Sequence, residues 1–258
     1  MNNRAIRSFT PQISEACIAD LLTRLKATRF PDAETVEDWR QGLPLSYQQE
    51  LIDYWRTDYD FSRVATRLSE FDNFLTEIEG IDIHFIHKRS RHTSATPLLI
   101  THGWPGSVLE YLDVIEALTN PTAFGGTVDD AFHVVLPALP GFGFSGKPDR
   151  PGTDVPVIAN MWEQLMQRLN YTTFYAHGGD WGSIVTQAVL LQETTGCLSG
   201  HCTLPIVMPD ETTLDNLQAE EIDALESFQF YNEWDSGYSK IQSTRPQTPG
   251  SPLPDPPA

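Results

Sequence analysis

The feature that most limits what this chain can fold into is a repeated unit of apolar strand, loop and amphipathic helix between residues 97 and 208. Pro97-Leu98-Leu99-Ile100 is followed by a helical stretch from Val108 to Leu118. Phe132 to Leu136 precedes a helix from Val155 to Leu169, and Thr173 to Ala176 precedes one from Trp181 to Gln192. A fourth strand is expected from Leu198 to Met208. Short runs that are apolar at successive positions are strands buried on both faces. Their alternation with helices gives a mostly parallel sheet covered on each side, an α/β architecture. Ahead of these units the period is two. Phe74 to Ile78 and Ile81 to His87 alternate about Glu79-Gly80, the pattern of a β-hairpin.

The flanking stretches differ. Residues 1–70 read as a helical segment: Thr10-Pro11 supplies a start signal, Ile18, Leu21, Leu22 and Leu25 share one helical face, and Phe30-Pro31 ends the run. A second helix begins near Leu45. Residues 71–209 form the α/β core. Residues 210–235 then carry nine Asp or Glu and no Lys or Arg. Apolar Leu214, Leu217, Ile222, Leu225, Phe228 and Phe230 are interleaved, which predicts helix with a solvated acidic face. Residues 249–258 hold five prolines and read as an irregular tail.

Lys and Arg total 17 against 35 Asp and Glu in 258 residues, a formal charge of −18. So acidic a chain argues against nucleic acid or an anionic membrane as partner. Three cysteines, Cys17, Cys197 and Cys202, make neither a disulfide framework nor a zinc spacing. Their sparseness suits a reducing, cytoplasmic setting. The opening MNNRAIRSFTPQIS has no apolar core, and no run approaches the roughly 20 apolar residues that cross a bilayer. The expectation is a protein without signal peptide, transmembrane segment, metal or organic cofactor.

The chemistry centres on Gly178-Gly179-Asp180-Trp181-Gly182, where the third strand passes into the third helix. Small-x-nucleophile-x-small is the pattern of a nucleophile elbow, with small residues where strand and helix approach closely. Taken alone, GGDWG also fits an Asp capping a helix. As a nucleophile, a carboxylate attacks an electrophilic carbon and forms an alkyl ester, which water must then hydrolyse. The oxyanion of that second step needs two donors. One is the N–H of Trp181, at a helix N-terminus. The other is offered by His102-Gly103-Trp104-Pro105-Gly106, the loop after the first strand, through the N–H of Trp104. A third loop, Pro137 to Ser145, leaves the next strand on the same sheet edge, where open α/β sheets bind ligands.

These motifs together resemble the microsomal-type epoxide hydrolases of the α/β-hydrolase superfamily. The likeness covers roughly residues 5–248: YWRTDYDF at 54–61, FLTEIEGIDIHFIH at 74–87, HGWPGS at 102–107, LPGFGFS at 139–145, GGDWGS at 178–183 and GYSKIQSTRPQT at 237–248. The resemblance implies Asp180 as nucleophile, Trp104 and Trp181 as oxyanion hole, and a cis Trp104–Pro105 bond. It implies Tyr238 as the first of two tyrosines that protonate the leaving oxygen of a small hydrophobic epoxide. Residues 210–248 become the start of a cap. The family also uses an acid and a histidine downstream of the nucleophile. Of the histidines at 84, 87, 92, 102, 133, 177 and 201, only His201 follows Asp180, and it is read as structural. His177 and His102 are read as parts of the motif loops. The expectation is a chain truncated within the cap, with impaired turnover, an unprotected sheet edge at the fourth strand and a tendency to self-associate. A haloalkane dehalogenase-like hydrolase and a catalytically incomplete binding remnant are the alternatives.

Overall fold

Two residues with left-handed backbone, Glu79 (φ 52°) and Gly80 (φ 82°), close the hairpin. Positive φ at both central positions matches a two-residue turn to the right-handed twist of its strands. In the computed structural model, which describes residues 4–193, 195–207 and 210–250, the hairpin is part of a seven-stranded sheet. The strands are β1 (Arg7–Ser8), β2 (Asn73–Ile78), β3 (Ile81–Lys88), β4 (Thr96–Thr101), β5 (Phe132–Pro137), β6 (Phe174–Gly178) and β7 (Cys197–Cys202). Their order is β1-β2-β3-β5-β4-β6-β7. The pairs β1–β2, β2–β3 and β3–β5 are antiparallel. The pairs β5–β4, β4–β6 and β6–β7 are parallel. Helices α1 (Glu15–Lys26), α2 (Leu45–Thr57) and α3 (Ser62–Leu68) precede the hairpin. They are followed by α4 (Leu112–Thr119), α5 (Val155–Arg168), α6 (Trp181–Leu190), α7 (Ala219–Phe230), α8 (Gly237–Thr244) and α9 (Gln247–Gly250).

Successive residues of the central strands enter different cores, as the strand period requires. Leu99, Val135, Ile83 and Phe85 pack with Trp162, Leu165 and Met166 of α5 and with Val185 and Val189 of α6. Leu98, Ile100, Val134, Leu136 and Ile86 pack with Leu112 and Ile115 of α4 and with Leu68. Each such side chain contributes about 2 kcal/mol by leaving water. Over β6 the α4 face opens into a cavity of about 590 Å³, lined by Leu98, Ile100, Val114, Phe132, Tyr175 and His177 among others.

Residues 1–12 and 63–207 form one compact unit, and residues 13–62 with 208–258 form a second. In the second unit α1 packs on α2, with Leu25 and Ile52 buried. No helix of the described residues is long and apolar enough to cross a membrane.

Several boundaries move from their expected places. The start signal at Thr10-Pro11 is not used: Ser14 caps α1, its Oγ accepting from the Cys17 N–H at 3.2 Å. Upstream, Arg7–Ser8 joins the sheet as β1, and Arg7 pairs with Asp82 of β3 at 2.7 Å. The helix ends at Lys26, short of Phe30-Pro31. Strand β7 stops at Cys202 because the chain turns back: Leu204 N–H donates to Ser183 Oγ at 3.2 Å. Met208, where that strand was expected to end, lies outside the described residues. The acidic stretch is a 3₁₀ turn (Glu211–Asn216), then α7, then a π-helical turn (Tyr231–Asp235). Pro249 and Gly250, expected in the irregular tail, close α9, and residues 251–258 lie outside the described residues.

Two histidines are buried in the sheet in their neutral form. His84 Nε2 lies 2.8 Å from Asn73 Oδ1, an acceptor, which puts the ring proton on Nε2 and leaves buried Nδ1 without a partner. His87 Nε2 lies 3.0 Å from the Tyr171 hydroxyl. Burial lowers both pKa values to about 4. A folded-state pKa below the unfolded value near 6.5 gives stability that is complete above pH 6.5 and is lost as pH falls through about 4. The loss is on the order of 3 kcal/mol per imidazole. Urea unfolding between pH 7 and pH 4 is expected to show a falling midpoint, and His87→Gln to flatten part of the slope. An identical pH slope in wild type and variant would contradict the assignment for His87.

Candidate active site

Strand β6 runs into α6 through Gly178-Gly179-Asp180-Trp181-Gly182, and the local sequence dictates the shape of that turn. A Cβ at Gly178 would overlap the Gly182 carbonyl, and one at Gly182 would overlap the Thr101 carbonyl at the end of β4. At Gly179 it would press on the hydroxyls of Thr203 and Tyr111. The crossing therefore needs glycine at 178 and 182, and Asp180 between them takes φ 49°, ψ −126°. A non-glycine residue there carries about 1–3 kcal/mol of backbone strain. Ser183 braces it, donating its N–H to the Asp180 carbonyl at 2.9 Å and its Oγ–H to the Gly178 carbonyl at 2.7 Å.

Asp180 heads α6, yet its side chain makes no capping bond. Its Oδ1 instead accepts the N–H of Trp104 at 2.7 Å. Trp104 stands on the loop that leaves β4, beside Gly103, where a Cβ would overlap the Asp180 carboxylate. The Trp104–Pro105 peptide is cis. Trp181 opens α6, so its N–H is among the first-turn donors that have no intrahelical acceptor. Both indoles are exposed.

His102 is fully buried and engaged through both nitrogens. Leu139 N–H donates to Nε2 at 3.1 Å, so the ring proton is on Nδ1, which donates to the Gly103 carbonyl at 3.0 Å. Burial holds its pKa below the ordinary imidazole value. This neutral ring ties the Trp104 loop to the third loop at the carboxyl edge of the sheet. His177 and His201 engage each other: their rings stack at 5.0 Å, with Nδ1 to Nδ1 at 2.9 Å. One ring must donate and the other accept. Burial first, then the His201 charge, lowers the His177 pKa.

Sequence reasoning passed over Glu110 and Tyr111. They end a 3₁₀ turn, Val108–Tyr111, that follows the Trp104 loop. The signal was present: Ser107-x-x-Glu110 is a capping box, and the structure forms it. The Tyr111 hydroxyl lies against Gly179, 3.1 Å from where a Cβ on that residue would stand. Tyr238 lies in the second unit, on α8, its hydroxyl 3.2 Å from that of Tyr231. Tyr231 was not singled out either, and its place in a π-helical turn is not readable from residue type. Among the described residues no group of three or more His, Cys, Asp or Glu could hold a metal ion.

Residues 6–111 match a family described as the epoxide hydrolase N terminus, and residues 96–237 match the alpha/beta hydrolase fold. A "Putative epoxide hydrolase" of Stigmatella aurantiaca is 49% identical over 253 residues, spanning 98% of this chain and 58% of that protein. Epoxide hydrolase 1 of Sus scrofa is 32% identical over 273 residues, 99% of this chain and 60% of that protein. The crystal structure of the juvenile hormone epoxide hydrolase from the silkworm Bombyx mori superimposes with a TM-score of 0.89 at 28% identity, over 99% of this chain and 64% of that one. The Aspergillus niger epoxide hydrolase gives 0.87 at 27% identity, over 99% and 67%. The chain thus spans about three fifths of the length of the curated relatives it matches. With a mostly parallel sheet, the elbow at Asp180 and these matches along nearly its whole length, the chain belongs to the epoxide hydrolase family of the α/β-hydrolase fold.

Proposed function

We propose that this chain carries the nucleophilic half of an epoxide hydrolase, in which Asp180 opens a small hydrophobic epoxide and is alkylated by it. The observation that carries the reading is the Asp180 carboxylate itself: withdrawn from helix capping, set on a strained turn, and bonded to the Trp104 N–H at 2.7 Å. Backside attack by a carboxylate oxygen forms an ester C–O bond and breaks a ring C–O bond, and the electron pair leaves on the epoxide oxygen. Tyr238, in the role its sequence context implies, gives that alkoxide a proton. Water must then add to the Asp180 carbonyl carbon, where the N–H groups of Trp104 and Trp181 serve the developing oxyanion. Within residues 181–258 the one histidine is His201, and its Nδ1 is engaged with His177. His102 uses both ring nitrogens, and His177 and His201 use their Nδ1 atoms on each other, so these rings are poor bases for that water and the ester on Asp180 is expected to persist. Three cysteines with no disulfide among the described residues support a cytoplasmic setting.

Intact-mass measurement after incubation with an aryl epoxide tests the reading. One epoxide equivalent is expected on the wild-type chain and none on Asp180→Asn, with Tyr238→Phe slowing adduct formation by about 10²-fold. A wild-type chain that gains no mass would sink the proposal. Bromide release from a bromoalkane, without reaction at an epoxide, would favour the dehalogenase alternative.

We also infer self-association through β7. It is the last strand of the sheet, paired with β6 on one side, and Leu198 on it is 62% exposed. An edge of this kind offers unpaired backbone groups to a second chain. Light scattering is expected to show mass rising with concentration, and a constant monomer mass over a hundredfold range would refute it.

A further inference from the structure

The segment between Trp104 and the Val108–Tyr111 turn has few means of holding its shape. Pro105 has no N–H to donate and Gly106 has no side chain to pack. Glu110 supplies the tie: its Oε1 accepts the Ser107 N–H at 3.2 Å, while Ser107 Oγ accepts the Leu109 N–H at 3.2 Å. The same oxygen fills the space that a side chain at 106 would occupy, so that a Cβ there would overlap it. The carboxylate thus both bonds and packs the two residues that follow the cis peptide. Burial raises the Glu110 pKa, the Ser107 N–H opposes that rise, and the charge of Asp180 adds to it. Glu110 therefore feels the nucleophile electrostatically.

We propose that Glu110 is a positioning residue for the nucleophile: its carboxylate fixes residues 104–107 so that the Trp104 N–H stays aimed at Asp180. Glu110 touches neither substrate nor reacting atoms in this role. It acts through the loop, and only its effect on reaction rate rests on the epoxide-opening reading.

The test uses the full chain as wild type, Glu110→Gln and Glu110→Ala. Gln keeps an oxygen acceptor of the same reach, and Ala removes it. The first readout is the Trp104 backbone amide proton by NMR on ¹⁵N-labelled protein, with Asp180→Asn identifying the shift due to the carboxylate. The downfield shift is expected to survive in Gln and collapse in Ala. The second readout is adduct formation with an aryl epoxide, expected to fall about tenfold in Ala and to recover within about twofold in Gln, as for a group whose only duty is alignment. An Ala variant that unfolds cooperatively and keeps both the amide shift and the adduct rate overturns the proposal, as does a Gln variant no better than Ala. If Ala does not fold, Glu110→Asp, with the same charge and a shorter reach, takes its place under the same two outcomes. A wild type that forms no adduct while the amide shift still depends on Glu110 defeats the epoxide reading and leaves the positioning role standing.

Discussion

The carboxyl edge of the sheet depends on how closely β4, β6 and the first turn of α6 cross. Gly182 lies against the Thr101 carbonyl and Gly178 against the carbonyl of Gly182, with no room for a methyl at either place. Packed interiors do not absorb such an intrusion locally, so a larger residue would push the helix off the strand. The closeness is what brings an amide of the β4 loop within hydrogen-bond distance of a side chain on the β6–α6 turn. It also forces the unusual backbone of Asp180, and Ser183 offsets that strain with two hydrogen bonds of about 1 kcal/mol each.

On the proposed reaction, the Trp104 N–H meets the same oxygen through three charge states. Oδ1 is part of an anion in the resting carboxylate, becomes a neutral ester carbonyl if the other oxygen attacks, and is an anion again in the tetrahedral intermediate. A donor fixed in the fold serves the two charged states better than the neutral one, which lowers the barrier to hydrolysis relative to the ester. His102 contributes by being inert. Engaged through both nitrogens and neutral, it sets the loop's shape without adding a charge beside Asp180.

How much of this could be read in advance depends on the kind of interaction. The central strands were legible because burial on two faces leaves unbroken apolar runs, and the Glu79-Gly80 turn because the period-two alternation breaks at a glycine, although Glu is an uncommon residue at positive φ. The elbow was legible because close approach demands glycine at fixed spacing. Helix starts were less so: Thr10-Pro11 and Ser14 offer similar local chemistry, and the choice falls to the sheet, which recruits Arg7–Ser8 as a strand. The stop of β7 rests on a bond from Leu204 to Ser183, twenty-one residues back in the chain, which no local pattern records. Glu110 was hidden for a related reason. Its capping box is visible, but that its carboxylate fills the empty side-chain position of Gly106 is a fact of three dimensions.

The second compact unit is made of two stretches, 13–62 and 208–258, with residues 63–207 between them. Ribosomes add roughly 5–20 residues per second, so α7 emerges some ten to thirty seconds after α2. The sheet unit has no such wait, since its last residue precedes the second stretch. During synthesis the strained turn and its amide donor can therefore be in place while Tyr231 and Tyr238 of the helical unit have yet to emerge. The order in which the polypeptide is made separates Asp180 in time from Tyr238, its proton donor on the proposed reaction.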